Sequence, residues 1–123
     1  MDVITLTKHN FDTVVSQNDL VVIDFTADWC EPCQAFAASY GALAQDFPGV
    51  VFAQINVGQE LELANDFNVR SVPMVMILRY QVAVFMQSGL MTSSELKRLV
   101  NEAQSLSEQD IRQHIDQTLN DSI

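Results

Sequence analysis

Cysteine, glycine, proline and positive charge are all scarce in this chain of 123 residues, which has two Cys, four Gly, three Pro and six Lys or Arg. Two cysteines exclude a disulfide-stapled scaffold, which needs several bridges over longer loops. So little glycine and proline excludes collagen-like and low-complexity architectures. No apolar run approaches the roughly twenty residues that span a bilayer. Six basic residues against sixteen acidic ones leave a formal net charge of −10, which repels phosphate backbones and anionic lipid headgroups. Neither nucleic acid nor a membrane is therefore expected as a partner. The segment from Met1 to Lys8 lacks the basic stretch and apolar run of a secretory signal, so the expected compartment is the cytoplasm.

What is present is a folded composition, 48% hydrophobic and 18% charged, at a length that suits one core. Val3, Ile4 and Leu6 read as a first strand, and Asn10 as the cap of a helix that carries Phe11, Val14 and Val15 and ends near Gln17 to Asp19. Leu20 to Phe25 is almost continuously apolar and β-branched, the pattern of a central strand covered on both faces. A long helix then carries Cys33, Phe36, Tyr40, Leu43, Ala44 and Phe47 at helical spacing until Pro48-Gly49. Val50 to Val57 is the next strand, Glu60 to Asp66 a short helix, and Asn68 a left-handed residue after it.

Met74 to Leu78 and Val82 to Met86 read as an antiparallel hairpin whose turn, Arg79-Tyr80-Gln81, contains no glycine. Ser93 or Ser94 is expected to cap a helix bearing Leu96, Leu99, Val100 and Ala103. This order of elements needs crossover helices, so the expected class is α/β with a central mixed β-sheet flanked by helices. The expected organisation is one domain over residues 1–104 and an appended C-terminal amphipathic helix over 105–123. In that tail Ser107 and Asp110 form a capping box, and Ile111, Ile115 and Leu119 a stripe on one face. Such a stripe is expected to be covered, by the protein's own domain or by a second copy, so the expected state is a monomer or a weak homodimer.

The two cysteines are three apart, in Cys30-Glu31-Pro32-Cys33, after a buried strand and at the start of a helix. Helix dipole and unpaired backbone N–H groups stabilise a thiolate there. Cys30 is thus the expected exposed nucleophile, and Cys33, one turn further in, the shielded thiol that attacks a mixed disulfide. A zinc site needs four ligands, and besides the cysteines only His9 and His114 are available, both far from them in sequence. No metal or other cofactor is expected beyond a redox-active Cys30–Cys33 disulfide.

Asp24-Phe25-Thr26-Ala27-Asp28-Trp29-Cys30-Glu31-Pro32-Cys33 resembles the active-site segment of the thioredoxin family, and Val69-Arg70-Ser71-Val72-Pro73 resembles its cis-proline loop. Gly89 matches the family's glycine beside the substrate groove, and the resemblance covers about residues 3 to 104. It implies a thioredoxin fold and reduction of protein disulfides, with a separate reductase that recycles the dithiol. It further implies that Asp24 is a buried base for Cys33, that Pro73 is cis, and that Trp29, Glu31, Pro32, Val72, Pro73 and Gly89 border the substrate site. Four positions depart from the family pattern: Glu31 stands for the usual Gly, Gln54 for a basic residue near the acid, Ala38 for a helix-kinking Pro, and Gln81 for the hairpin Gly. A rival reading is a thioredoxin-like chaperone or partner-binding module in which redox activity is secondary.

Overall fold

Seven consecutive residues from Leu20 to Thr26 form β2, and all but the last are buried, as a β-branched apolar run between two layers requires. The computed structural model describes residues 2–121, with side chains as far as residue 115. Its elements in chain order are β1 (Ile4–Thr5), α1 (Phe11–Ser16), β2 (Leu20–Thr26), α2 (Glu31–Gln45), β3 (Val51–Asn56), α3 (Leu61–Asp66), β4 (Met74–Arg79), β5 (Val82–Ser88), α4 (Ser93–Ser105) and α5 (Glu108–Asp121). The sheet order is β1-β3-β2-β4-β5, parallel among β1, β3 and β2 and antiparallel from β2 to β4 to β5. This is the thioredoxin fold with a C-terminal helix added.

The pleat of β2 divides the core. Val21, Ile23 and Phe25 pack with Val15 of α1 and Leu63 of α3. Leu20 and Val22 pack with Phe36, Tyr40 and Leu43 of α2 and with Leu96 and Val100 of α4. Each such side chain stabilises the fold by about 1.5 to 3 kcal/mol relative to exposure. Met74, Met76 and Met91 fill this core, whereas Met86 is exposed. Among the described residues no helix is long and apolar enough to cross a membrane.

Several local expectations shift. The Asn10 side chain does not cap α1; its Oδ1 accepts the Thr7 N–H at 2.7 Å and its Nδ2 donates to the Thr5 carbonyl at 3.1 Å, closing the preceding turn instead. The α4 cap is Thr92, one residue before the expected serines, with Oγ1 accepting the Glu95 N–H at 3.1 Å. The pairing of β1 stops at Thr5, although Leu6 is fully buried and its N–H reaches the Gln54 carbonyl at 2.9 Å. Phe47 lies just past the end of α2 yet remains in the core.

The hairpin turn is two residues, not three. Tyr80 and Gln81 both take positive φ, 50° and 69°, the left-handed pair that a tight hairpin needs. The Tyr80 N–H donates to the Asp19 carbonyl at 2.8 Å, and Arg79 stacks over the Tyr80 ring at 4.4 Å. Tertiary contacts thus hold a turn that carries no glycine. A register shift opposite Ile77 and Leu78 leaves Val84 and Phe85 both packed against the same core cluster.

In the tail, Ser107 and Asp110 form the expected reciprocal box, at 2.9 and 3.0 Å. Hydrogen bonds to the Asp110 carboxyl from the Ser107 N–H, and then from its hydroxyl, hold that carboxyl below its ordinary pKa. Ile111 is buried and Ile115 half-buried, whereas the Leu119 side chain lies outside the described residues. Arg79 fastens the α4–α5 junction, donating to the carbonyls of Leu106 at 3.0 Å and Gln104 at 3.1 Å.

Candidate active site

Pro32 in the first turn of α2 occupies a position whose N–H a helix does not use, and Cys30 stands at the N-cap with extended backbone. There the Cys30 sulfur accepts the Cys33 N–H at 3.2 Å, which is the contact that a thiolate at this helix end would make. Cys30 and Cys33 are joined as a disulfide, with Cα atoms 5.3 Å apart. The expectation of an exposed Cys30 is corrected: it is 7% exposed, against 1% for Cys33. Ala27 and the two cysteines form a small cluster that Val57 and Val72 close from the neighbouring loops.

The Val72–Pro73 peptide bond is cis, and the Val72 carbonyl oxygen lies 3.8 Å from Cys30 Sγ. Gly89 adopts φ 102°, a region that side-chain-bearing residues avoid, and its N–H donates to the Pro73 carbonyl at 2.8 Å. Trp29 is 72% exposed. Glu31 and Pro32 are exposed on the first turn of α2. Tertiary structure therefore links Cys30, Val72, Pro73 and Gly89 through these contacts, Pro73 itself being buried, with Trp29, Glu31 and Pro32 beside Cys30 in the chain.

Asp24 lies on the sheet face covered by α2, since the pleat sets it on the side of Val22. It is 2% exposed, and its Oδ1 accepts no hydrogen bond within the protein. Burial pushes its pKa up to about 7. Gln54, its register partner on β3, turns its amide to donate to Thr5 Oγ1 at 3.1 Å.

Three residues near the site escaped the sequence reading. Tyr40, read only as an apolar position of α2, is buried with its hydroxyl donating to the carbonyls of Val22 at 3.0 Å and Ala53 at 2.8 Å. Burial pushes its phenol pKa up, and the Asp24 carboxylate adds to that shift. Asn56 bridges the loops: its Nδ2 donates to Asp28 Oδ1 at 3.0 Å, while its Oδ1 accepts the N–H groups of Gly58 and Gln59 at 2.9 and 3.2 Å. Gly58 lies against the Trp29 ring. An Asn two residues before a Gly at a strand end is a turn signal that points to the last two. Among the described residues no cluster of His, Cys, Asp or Glu is grouped to hold a metal ion.

The thioredoxin family model matches residues 2–102. Putative thioredoxin 2 of Streptomyces coelicolor is 38% identical over 112 residues, covering 91% of this chain and 84% of that protein. Thioredoxin C-3 of Corynebacterium nephridii is 34% identical over 103 residues, covering 83% and 71%. Among solved structures, a mutant thioredoxin from Halobacterium salinarum superposes with a TM-score of 0.80 at 31% identity, covering 86% of this chain and 94% of that one.

Proposed function

This chain belongs to the thioredoxin family, and on that premise we propose that Cys30 is its attacking thiol, Cys33 its resolving thiol and Asp24 the base that serves Cys33. It is a thiol–disulfide oxidoreductase of a family that acts on protein disulfides and is recycled by a reductase. In the proposed direction the reduced dithiol delivers two electrons to a protein disulfide. The Cys30 thiolate attacks one substrate sulfur, the substrate S–S bond breaks, and the departing thiolate takes a proton. The Asp24 carboxylate then takes the proton of the Cys33 thiol. The Cys33 thiolate attacks Cys30 Sγ, the second substrate sulfur leaves and is protonated, and the Cys30–Cys33 disulfide forms.

The observation that carries these roles is the asymmetry of the pair. The Cys30 sulfur caps α2 and keeps 7% exposure, whereas Cys33 is sealed at 1% one turn further into that helix, which covers the sheet face bearing Val22. A carboxyl with a pKa near 7 both accepts and returns a proton at neutral pH. Trp29, Glu31, Pro32, Val72, Pro73 and Gly89 border the proposed docking site, where an extended substrate segment pairs with the Val72 backbone. No cofactor besides the dithiol enters these steps. A reductant that depends on recycling needs a steady electron supply, which fits the cytoplasm as its compartment. Residues 1–104 constitute the proposed redox domain and 105–123 its appendage.

Insulin reduction by the wild type, Cys30→Ser and Cys33→Ser tests the assignment. Cys30→Ser is expected to be inactive and Cys33→Ser to accumulate a mixed disulfide. Trapping through Cys33 in the Cys30→Ser variant would reverse the roles.

A further inference from the structure

Glu31 occupies the first helical position of α2, between the attacking and resolving cysteines, with its side chain exposed. Among the described residues the ion pairs are Arg98–Glu102 and Arg112–Glu108, both within the C-terminal helices, so no cation neutralises Glu31. Asp28, also exposed, is held by the neutral amide of Asn56. Of the segments that build the site, 24–33, 56–62 and 86–91 contain no Lys or Arg, and 69–73 contains one, Arg70. A thiolate on Cys30 adds a further negative charge when the protein is reduced. Any disulfide that approaches Cys30 therefore enters a negative potential whose nearest fixed source along the chain is Glu31.

We propose that Glu31 makes this dithiol selective for disulfides flanked by positive charge, and that its favoured substrates carry Lys or Arg close to the bond to be reduced. The inference rests on Cys30 being the attacking thiol. The physical step is electrostatic: a cation beside the target sulfur lowers the energy of encounter and of the mixed disulfide, whereas an acidic neighbour raises both. For one exposed charge acting on another within a few ångströms, the rate changes by about two- to threefold at low salt, and less as salt screens it. The chemistry of the exchange is unchanged: two electrons pass from the dithiol to the substrate, and Cys30 and Cys33 end joined.

The test uses three small disulfides on the full chain: cystamine, which is dicationic, bis(2-hydroxyethyl) disulfide, which is neutral, and 3,3′-dithiodipropionate, which is dianionic. Their leaving thiols differ intrinsically, so each rate is compared between wild type and Glu31→Gln at one pH. A change in Cys30 nucleophilicity scales all three rates alike. A change in selectivity alters their ratios. Relative to the neutral probe, Glu31→Gln is expected to slow cystamine and to speed the dianion, each by about two- to threefold per charge sensed. The difference should shrink as salt rises. Arg70→Gln should shift the ratios in the opposite direction. Unchanged ratios in Glu31→Gln at low salt would overturn the proposal while leaving the redox roles standing, whereas failure of the wild type to reduce even the neutral probe would remove the redox reading itself.

Discussion

Gly58 leaves room for the Trp29 ring across two loops: a Cβ at position 58 would lie 3.0 Å from it. The close approach is available because position 58 has no side chain, and Asn56 secures it by binding the Gly58 N–H and Asp28 together. Gly58→Ala is therefore expected to push the indole away from the loop. Trp29 is the single tryptophan, so its fluorescence and near-ultraviolet circular dichroism report the displacement directly. The expected result is an altered indole signal with unchanged far-ultraviolet dichroism and a stability within about 0.5 kcal/mol of the wild type, since the exposed indole is free to move. An indole spectrum identical to the wild type would show that Gly58 does not position Trp29.

Asp24 gives the protein a pH-dependent stability of defined sign. Its pKa rises from 3.8 to about 7 on folding, so between those values the folded state binds the proton and the unfolded state does not. Stability contributed by the neutral carboxyl is therefore full below about pH 4 and is lost as pH rises toward 7. Asp24→Asn removes this slope. In urea unfolding the variant is expected to gain about 2 to 4 kcal/mol on the wild type between pH 4 and pH 8. The same variant is expected to resolve a trapped mixed disulfide more slowly while forming it at a near-normal rate. Parallel stability profiles would reject a raised Asp24 pKa.

Glu31 also bears on the redox poise. A carboxylate beside the N-cap sulfur opposes the Cys30 thiolate, and stabilisation of that thiolate is what makes a dithiol a strong oxidant. Glu31→Gly is expected to make the couple more oxidising in equilibrium with glutathione. A shift toward reducing would contradict this electrostatic account.

The tail is expected to serve stability rather than chemistry. Ile111 is buried, and Arg79 grips the α4–α5 junction through the Leu106 and Gln104 carbonyls. Truncation after Leu106 keeps those contacts and removes Ile111, so it should cost about 1.5 to 3 kcal/mol and preserve insulin reduction. A truncated protein that is folded yet inactive would show that α5 belongs to the redox site.

Much of this protein was legible in one dimension because its signals are local. The β-branched run of β2 and the helical spacing of Phe36, Tyr40 and Leu43 announce themselves within a few residues. So do the Cys30–Cys33 spacing, Pro32 at the helix start and the Ser107–Asp110 box. Side-chain parity along β2 likewise sets Asp24 on the face of Val22. Caps were not legible in this way, since Asn10 at α1 and Thr92, Ser93 and Ser94 at α4 all have capping side chains and the neighbouring backbone groups decide which of them caps.

Only the tertiary structure decided what surrounds the sulfur. The Val72 carbonyl reaches Cys30 across 42 positions of sequence, and Asn56 reaches Asp28 across 28. Those separations are set by strand register and crossover geometry, which no local periodicity encodes. The same closure by Val57 and Val72 buries Cys30 more deeply than its place at a helix start suggests. The sequence thus determined which residues are chemically competent, because that depends on side-chain type and spacing. The fold decided their exposure, their neighbours and the pKa of Asp24, because desolvation and close contact arise only once distant segments pack together.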